Sequence, residues 1–360
     1  MSALYATPLH FDPSMERAEP DEAATFADMS DTLRSISRKT FEDSGHGLRS
    51  VHAKSHGLLD GTLSVLPELP EELMQGVFRE SSRYRVVIRL STTPGDVLDD
   101  KVSTPRGIGI KLFESDDPAT AAQEEALQDF LLVNAPTFGA ASAKAFLKNL
   151  KLLAPTTDKA EGLKKALSAV LRGVEKTIEI AGGESGTLKS LGGHPLTHIL
   201  GETFFTQVPV LYGPYIAKLQ LAPISSEMLA LTGTRVDLTD HPNGLRDAVV
   251  AFCREHPLEW ELRVQLCTDL ESMPIEDSSV QWPEEKSPFI AVARIHVPVQ
   301  EAWSDAHSTQ RDESLFFNPW HCIPEHRPLG SIMRARRVAY AASAEFRRRA
   351  NAGGPAAREE

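Results

Sequence analysis

Near its end the chain carries the stretch Arg336-Arg-Val-Ala-Tyr340, which is followed by Arg347 on the same run of residues. An α-helix turns by about 100° per residue, so Arg336 would lie about 40° and Arg347 about 20° from Tyr340 around the helix axis. The three side chains would therefore share one face of a helix. This stripe is unusual because it places two cations beside one phenol.

A tyrosine with arginines beside it could serve as a metal ligand. Phenols titrate near pH ~10, so a tyrosine binds a metal as the phenolate only when a fixed cation lies close by. Arg336 could supply that cation, and Arg347 could bind a carboxylate of a flat anionic cofactor. Tyrosine is one of the axial ligands that proteins offer to haem iron. The alternative is a plain solvated basic face, because the segment also contains Arg334, Arg337, Arg348 and Arg349.

Charge and composition exclude several classes of function. The 360 residues are 41% hydrophobic and 24% charged, which is typical of an ordinary globular protein. A net charge of -12 argues against nucleic acid or an anionic membrane as the main partner, because both are polyanions. Cys253, Cys267 and Cys322 stand far apart, so neither a disulfide framework nor a zinc site is indicated. Residues 1–15 lack the pattern of a signal peptide, and we expect a cytoplasmic protein.

Hydrophobic periodicity predicts an α+β protein. Helices are predicted over residues 21–41, 71–79, 140–153 and 159–180. Strands are predicted over residues 84–91, 107–113, 129–133, 206–210, 216–221, 258–267 and 289–296. This order favours an antiparallel sheet or barrel over alternating βαβ units, and no phosphate-binding glycine motif stands at a strand-to-helix junction. We expect an N-terminal arm and helix (1–45), a main domain (46–350) with a helical insertion at about 140–200, and a disordered tail (351–360).

Three upstream segments carry polar residues that each have a simple structural explanation. A lone histidine such as His52 is usually a satisfied polar side chain. An arginine at the end of a strand, as at Arg89, and an asparagine before a turn, as at Asn134, are also common without a function. None of these segments indicates an activity by itself.

Taken together and in order, the segments resemble the haem catalase family. The family has Val-His-Ala-Lys, then Arg-x-Ser-Thr, a Pro-Arg-Gly strand, Asn-x-Pro and finally Arg-x-x-x-Tyr. The corresponding residues here are Val51-His-Ala-Lys54, Arg89-Leu-Ser-Thr92, Pro105-Arg-Gly107, Asn134-Ala-Pro136 and Arg336 to Tyr340. The resemblance extends over roughly residues 41–349 and is weakest at 140–200. It implies a catalase-like antiparallel β-barrel core with surrounding α-helices, without the flavodoxin-like extension of some members.

For the peroxide side of the site, the resemblance implies three roles. His52 would move a proton between the two oxygens of a bound peroxide, a role that imidazole fills near neutral pH. Asn134 would donate a hydrogen bond to the same peroxide. Ser91 would orient the His52 ring through a hydrogen bond.

For the cofactor side, the resemblance implies a bound haem b. Tyr340 would ligate the iron, as in catalase, and Arg336 would hold it as phenolate. The propionates of the haem would be bound by Arg49, Arg89 and Arg347. Should Tyr340 not be the ligand, the next candidates are His321, His326 and Cys322.

The resemblance leaves three functions open. The first is a catalase-like peroxidase that uses hydrogen peroxide or an organic hydroperoxide with a small-molecule electron donor. The second is a hydroperoxide-rearranging enzyme of the allene oxide synthase type, in which a hydroxyl-bearing residue precedes the distal histidine, whereas Val51 does so here. The third is a non-enzymatic haem-binding protein. Thr93 stands where the family has an apolar valine, and homo-oligomer formation is left open.

Overall fold

The structure is a computed structural model that describes residues 6–93, 95, 97–102, 104–114, 126–153 and 195–351. The predicted helix 159–180, most of the predicted insertion and the predicted tail beyond Asn351 lie outside the described residues. The α+β class predicted from the sequence is confirmed.

The core of the described chain is a closed antiparallel barrel. Nine strands belong to its sheet: β1 (Ser55–Val65), β2 (Arg83–Thr92), β3 (Arg106–Phe113), β4 (Ala126–Val133), β5 (Phe204–Phe205), β6 (Val210–Tyr212), β7 (Tyr215–Pro223), β8 (Leu258–Leu266) and β9 (Ile290–Val297). The strands follow the order β5-β4-β3-β2-β1-β9-β8-β7-β6, and β5 also pairs with β7. This pairing closes eight strands into the barrel and leaves β6 as an added strand beside β7.

Alternation along β3 shows how the barrel wall divides the molecule. Ile108, Ile110 and Leu112 are at most 2% exposed and belong to the main hydrophobic core inside the barrel. Gly107 and Gly109 alternate with them and therefore face outward. The outer face of the wall thus has almost no side-chain bulk along β3, and other groups can lie against it.

Six helices surround the barrel in the described chain: α1 (Glu22–Ser44), α2 (Ala143–Leu153), α3 (Ser226–Leu229), α4 (Gly244–Glu255), α5 (Asp305–Ser314) and α6 (Ser331–Asn351). Helices α1, α2 and α6 form a second layer with its own apolar cluster, which includes Leu33, Leu147 and Ile332. Arg334 of α6 binds this layer together, because its guanidinium pairs with Glu16, Glu22 and Glu276. No helix among the described residues has both the length and the apolar composition of a membrane span.

Two predicted elements are wrong in detail. Most of the strand predicted over 206–210 is instead the connection between β5 and β6, because Gln207 has a left-handed φ of 61° and Pro209 has no N–H for a ladder. The helix predicted over 71–79 is two separate 3-10 turns, Glu71–Leu73 and Gly76–Phe78, and the second begins at Gly76 with a φ of 54°. The predicted first helix is confirmed as α1, whereas the sequence reading did not identify α4 or the very polar α5.

Candidate functional site

Two adjoining cavities lie between the outer face of the barrel and the layer of α1, α2 and α6. The larger has an empty volume of about 1910 Å³, which includes open solvent, and the smaller one of about 620 Å³. Four predicted site residues line both cavities: Arg49, His52, Arg336 and Tyr340. Arg89 and Ser91 line the smaller cavity, and Arg347 lines the larger. Seven of the eight predicted site residues are therefore brought together.

Helix α6 carries the predicted stripe along one wall. Arg336, Tyr340 and Arg347 all line the larger cavity, as their spacing predicts. No described residue forms a hydrogen bond with the Tyr340 hydroxyl. The Arg336 guanidinium lies 5.4 Å from the centre of the Phe138 ring and donates to Met333 Sδ at 3.6 Å. The expected pairing of Arg336 with the phenol is thus not made in this structure, because the guanidinium packs against an aromatic face.

His52 stands on the opposite wall, just before β1. Its backbone takes a left-handed φ of 55°, a conformation that non-glycine residues adopt rarely and at an energetic cost. Its N–H donates to the Thr93 carbonyl oxygen at 2.7 Å, which fixes this conformation against the end of β2. A Cβ at Gly107 would lie 2.5 Å from His52 Cε1, so only glycine leaves room for the ring there.

The environment of His52 keeps its ring neutral. Burial lowers the pKa of His52 to about 3, and the positive charges of Arg89, Arg336 and Arg49 contribute in the same direction. Its Nδ1 lies 3.0 Å from Ser91 Oγ. Ser91 Oγ donates to the Gly107 carbonyl oxygen at 3.4 Å, so it can accept from an Nδ1–H. That tautomer leaves Nε2 as the proton acceptor.

Three arginines converge at the C-terminal end of α5. Arg49 Nη1 donates to Asp312 Oδ2 at 2.8 Å, and Arg89 Nε donates to Asp312 Oδ1 at 2.6 Å. Arg49 and Arg347 both donate to the Leu315 carbonyl oxygen, at 2.9 and 3.0 Å. Burial and the neighbouring Arg89 lower the pKa of Arg49, although a guanidinium remains charged at any working pH. We call Arg49, Arg89 and Arg347 the arginine cluster.

Asn134 is the one predicted site residue that lines neither cavity. It follows β4, where its Oδ1 accepts the N–H of Arg106 at 2.9 Å and its Nδ2 donates to Glu202 Oε2 at 2.6 Å. Both amide atoms are thus engaged in joining β3, β4 and the segment before β5. The amide nitrogen has two N–H groups, so the bond to Glu202 does not by itself use up its donor capacity, but Asn134 does not reach the lining of either cavity.

The sequence reading missed Gln207 and Asp312 as site residues. Gln207 lines both cavities, and its Nε2 donates to the Thr137 carbonyl oxygen at 2.5 Å. The residue pattern of its segment predicts a strand and does not indicate the left-handed backbone. Asp312 lies on α5, whose polar composition gives no apolar stripe from which to place it. Phe317 lines both cavities too.

The alternative iron ligands, which stand in the loop before α6, do not line either cavity. His326 is 1% exposed and accepts the Val77 N–H at 3.1 Å. His321 lies beside Asp129, and the Cys322 thiol donates to the Trp320 carbonyl oxygen. No group of three or more His, Cys, Asp or Glu that could hold a metal ion occurs in the described chain.

Comparison with known proteins gives a likeness in structure alone. No protein-family model and no curated protein matches this sequence. Among the solved structures that match are three catalases with a TM-score of 0.59 each. A fungal catalase is 17% identical over 88% of this chain and 61% of its own, and catalase A from Saccharomyces cerevisiae is 16% identical over 89% and 64%. A bacterial catalase is 16% identical over 85% and 59%.

This chain therefore spans about three fifths of the length of the catalases it matches. The shared part includes the closed antiparallel barrel and the surrounding helices described above. At this level of identity the likeness concerns the fold and not the activity. The chain has a catalase-like fold.

Proposed function

We propose that this protein is a haem-dependent, catalase-like peroxidase that acts on hydrogen peroxide or organic hydroperoxides. One observation carries the proposal: His52 and Tyr340, from opposite layers of the molecule, line the same two cavities. One is a neutral base and the other a phenol without a hydrogen-bond partner among the described residues. The catalase-like fold supports a reaction with peroxide.

The residues of the site fit a flat dicarboxylate such as haem b. The two adjoining cavities together form a slot between the barrel and the helix layer. Its walls are apolar on both sides and include Val51, Val133 and Ile332. Arginines collect at one end of it, where they could bind propionates bidentately. A phenol is available as the ligand of the iron, and Arg336, which lines both cavities, could turn from Phe138 toward it. When bound, the haem iron would supply the redox chemistry that cleaves the peroxide bond.

The residues of the chain would move and hold the proton. His52 Nε2 accepts a proton from one peroxide oxygen and returns it to the other, which turns the departing oxygen into water. Ser91 Oγ holds the ring in the required orientation through Nδ1. Tyr340 would hold the iron through its phenol oxygen, and Arg336, once turned away from Phe138, would compensate the negative charge of the phenolate. The donor role of Asn134 stays a prediction, because Asn134 lines neither cavity.

Reconstitution with hemin tests the proposal. The loaded protein should release oxygen from hydrogen peroxide or oxidise an organic dye with it. His52→Gln removes the proton shuttle and should lower the rate by about 100-fold or more while the haem stays bound. His46→Gln is the matched control, because His46 lies on the surface and pairs with Glu313. Equal rates for wild type and His52→Gln would contradict the proposal.

Two other functions make different predictions. An enzyme of the allene oxide synthase type would rearrange a fatty-acid hydroperoxide and would neither release oxygen nor oxidise the dye. Val51 before His52 favours the peroxidase, because those relatives have a hydroxyl-bearing residue there. A haem carrier would show no turnover at all, and the neutral, oriented His52 argues against it since carriage needs no proton shuttle.

The partners follow from the proposed reaction. The protein would use a peroxide and a small-molecule electron donor, and its acidic charge disfavours nucleic acid and membrane surfaces. We also propose that it acts in the cytoplasm. Size-exclusion chromatography of the loaded protein would show whether it assembles into a homo-oligomer.

A further inference from the structure

Helix α5 places a carboxylate of this chain inside the arginine cluster. Asp312 Oδ1 and Oδ2 receive three N–H groups, from Arg49 at 2.8 Å and from Arg89 at 2.6 and 3.3 Å. The Asp312 side chain is only 12% exposed, so solvent screens these contacts weakly. The charges of Arg89 and Arg49 outweigh burial and keep the pKa of Asp312 below its usual range. Asp312 is therefore an anion at neutral pH.

The orientation of the cluster does not depend on that charge. Five further hydrogen bonds from the three guanidinium groups go to backbone carbonyl oxygens at 2.6 to 3.2 Å, namely those of His52, Ala53, Asp312 and Leu315. These acceptors belong to the backbone and stay in place when the Asp312 side chain changes. What Asp312 alone supplies is negative charge.

One carboxylate cannot neutralise three guanidinium groups. Among direct contacts the cluster keeps an excess of two positive charges, in a partly buried place where like charges repel, and Glu313 offsets part of this excess from a distance through Arg347. Burial lowers the pKa of Arg49 and of Arg347, which is the direction expected when buried cations lack enough negative charge. The deficit equals the charge of a ligand with two carboxylates.

We propose that Asp312 determines the anion specificity of the site. Its negative charge reduces the net charge of the arginine cluster to a value that a ligand with two carboxylates can balance. It also competes with the carboxylates of the ligand for the N–H groups of Arg49 and Arg89. The inference rests on the proposed function, because it takes the dicarboxylate to be the porphyrin of that function. Asp312 is a specificity-determining residue and does not take part in the chemistry at the iron.

Binding of iron-free protoporphyrin IX tests this inference without any contribution from catalysis or from iron ligation. It has the two carboxylates of haem but no metal, and its binding can be followed by absorbance and fluorescence. Asp312→Asn should bind it about tenfold more tightly than wild type, within the range usual for coupling between two charged sites. The gain should shrink at high salt, because screening weakens the added attraction.

Two controls separate charge from shape. The dimethyl ester of protoporphyrin has the same ring without the charges, so its affinity should change less than twofold in Asp312→Asn. Asp305→Asn removes the same charge at the opposite end of α5, where the carboxylate is 89% exposed and lies beside Arg246, and should leave protoporphyrin affinity within twofold of wild type. Asp312→Ser removes the charge with a smaller side chain and should repeat the tenfold gain.

Protoporphyrin affinity that is unchanged or weaker in both Asp312 variants would overturn the inference. An equal gain for the ester would also overturn it, since the effect would then be one of space. The proposed function fails separately, when the wild type binds porphyrin but the hemin-loaded protein neither releases oxygen nor oxidises the dye. Absence of porphyrin binding by the wild type would end both.

Discussion

At the scale of single residues, the site depends on how His52 is held. A left-handed backbone, a hydrogen bond to Thr93 and the missing side chain of Gly107 together place its ring at the cavity wall. The sequence could predict that His52 matters, because it stands in a recognisable segment. It could not predict the backbone conformation, which the contacts with β2 and β3 impose on a residue that has no intrinsic preference for it.

Ser91 should act as a positioning residue for His52. In Ser91→Ala the ring loses its partner at Nδ1, and we expect kcat to fall about tenfold or more, the usual cost of losing such a support. KM and the visible spectrum should stay close to wild type, because the ligand side is untouched. Ser91→Thr, which keeps a hydroxyl, should recover most of the rate. A rate for Ser91→Ala equal to that of wild type would contradict this role.

At the scale of elements, α6 and β3 define the two walls of the slot. The stripe of α6 could be predicted from helical spacing alone, since it depends only on the angle per residue. The role of the outward-facing glycines of β3 could not be predicted from the sequence, because it depends on the side chains of distant segments that pack against them. Helix α5 and its Asp312 were missed, because such a polar helix shows little apolar periodicity.

Gly107→Ala should disturb catalysis through β3. The new Cβ would lie 2.5 Å from His52 Cε1 and 2.7 Å from Nδ1, so the ring must move away from Ser91. We expect at least a tenfold loss of peroxidase rate with little loss of haem binding, which steady-state kinetics and a hemin titration would measure. In the comparison variant Gly109→Ala the Cβ meets the Phe317 ring at 2.9 Å, and the rate should fall less. A greater loss for Gly109→Ala would contradict the account.

At the scale of the whole molecule, a closed barrel and a helix layer hold the site between them. The α+β class and most of the strands follow from periodicity in the sequence. Closure through β5 does not, because that strand has only two residues and its pairing with β4 and β7 is long-range. Asn134 shows the same limit, since its partner Glu202 is far away in sequence and cannot be inferred from a local motif.

A buried histidine in the loop before α6 should make the stability of the fold depend on pH. His326 is 1% exposed, and burial lowers its pKa to about 4. Between pH 6.5 and 4 the unfolded chain binds a proton at this residue and the folded chain does not, so stability falls as the pH falls. The wild type should lose about 3 kcal/mol relative to His326→Gln across this window. Denaturant unfolding at several pH values checks it, and parallel curves would contradict it.

The central claim is that Tyr340 binds the iron of a haem, and the visible absorption spectrum of the hemin-loaded protein tests it most directly. Tyr340→Phe removes a single oxygen and leaves the ring that lines both cavities. We predict that this variant, compared with wild type, shows a changed iron spectrum or loses its haem on gel filtration. A spectrum and a haem content identical to those of the wild type would contradict the claim.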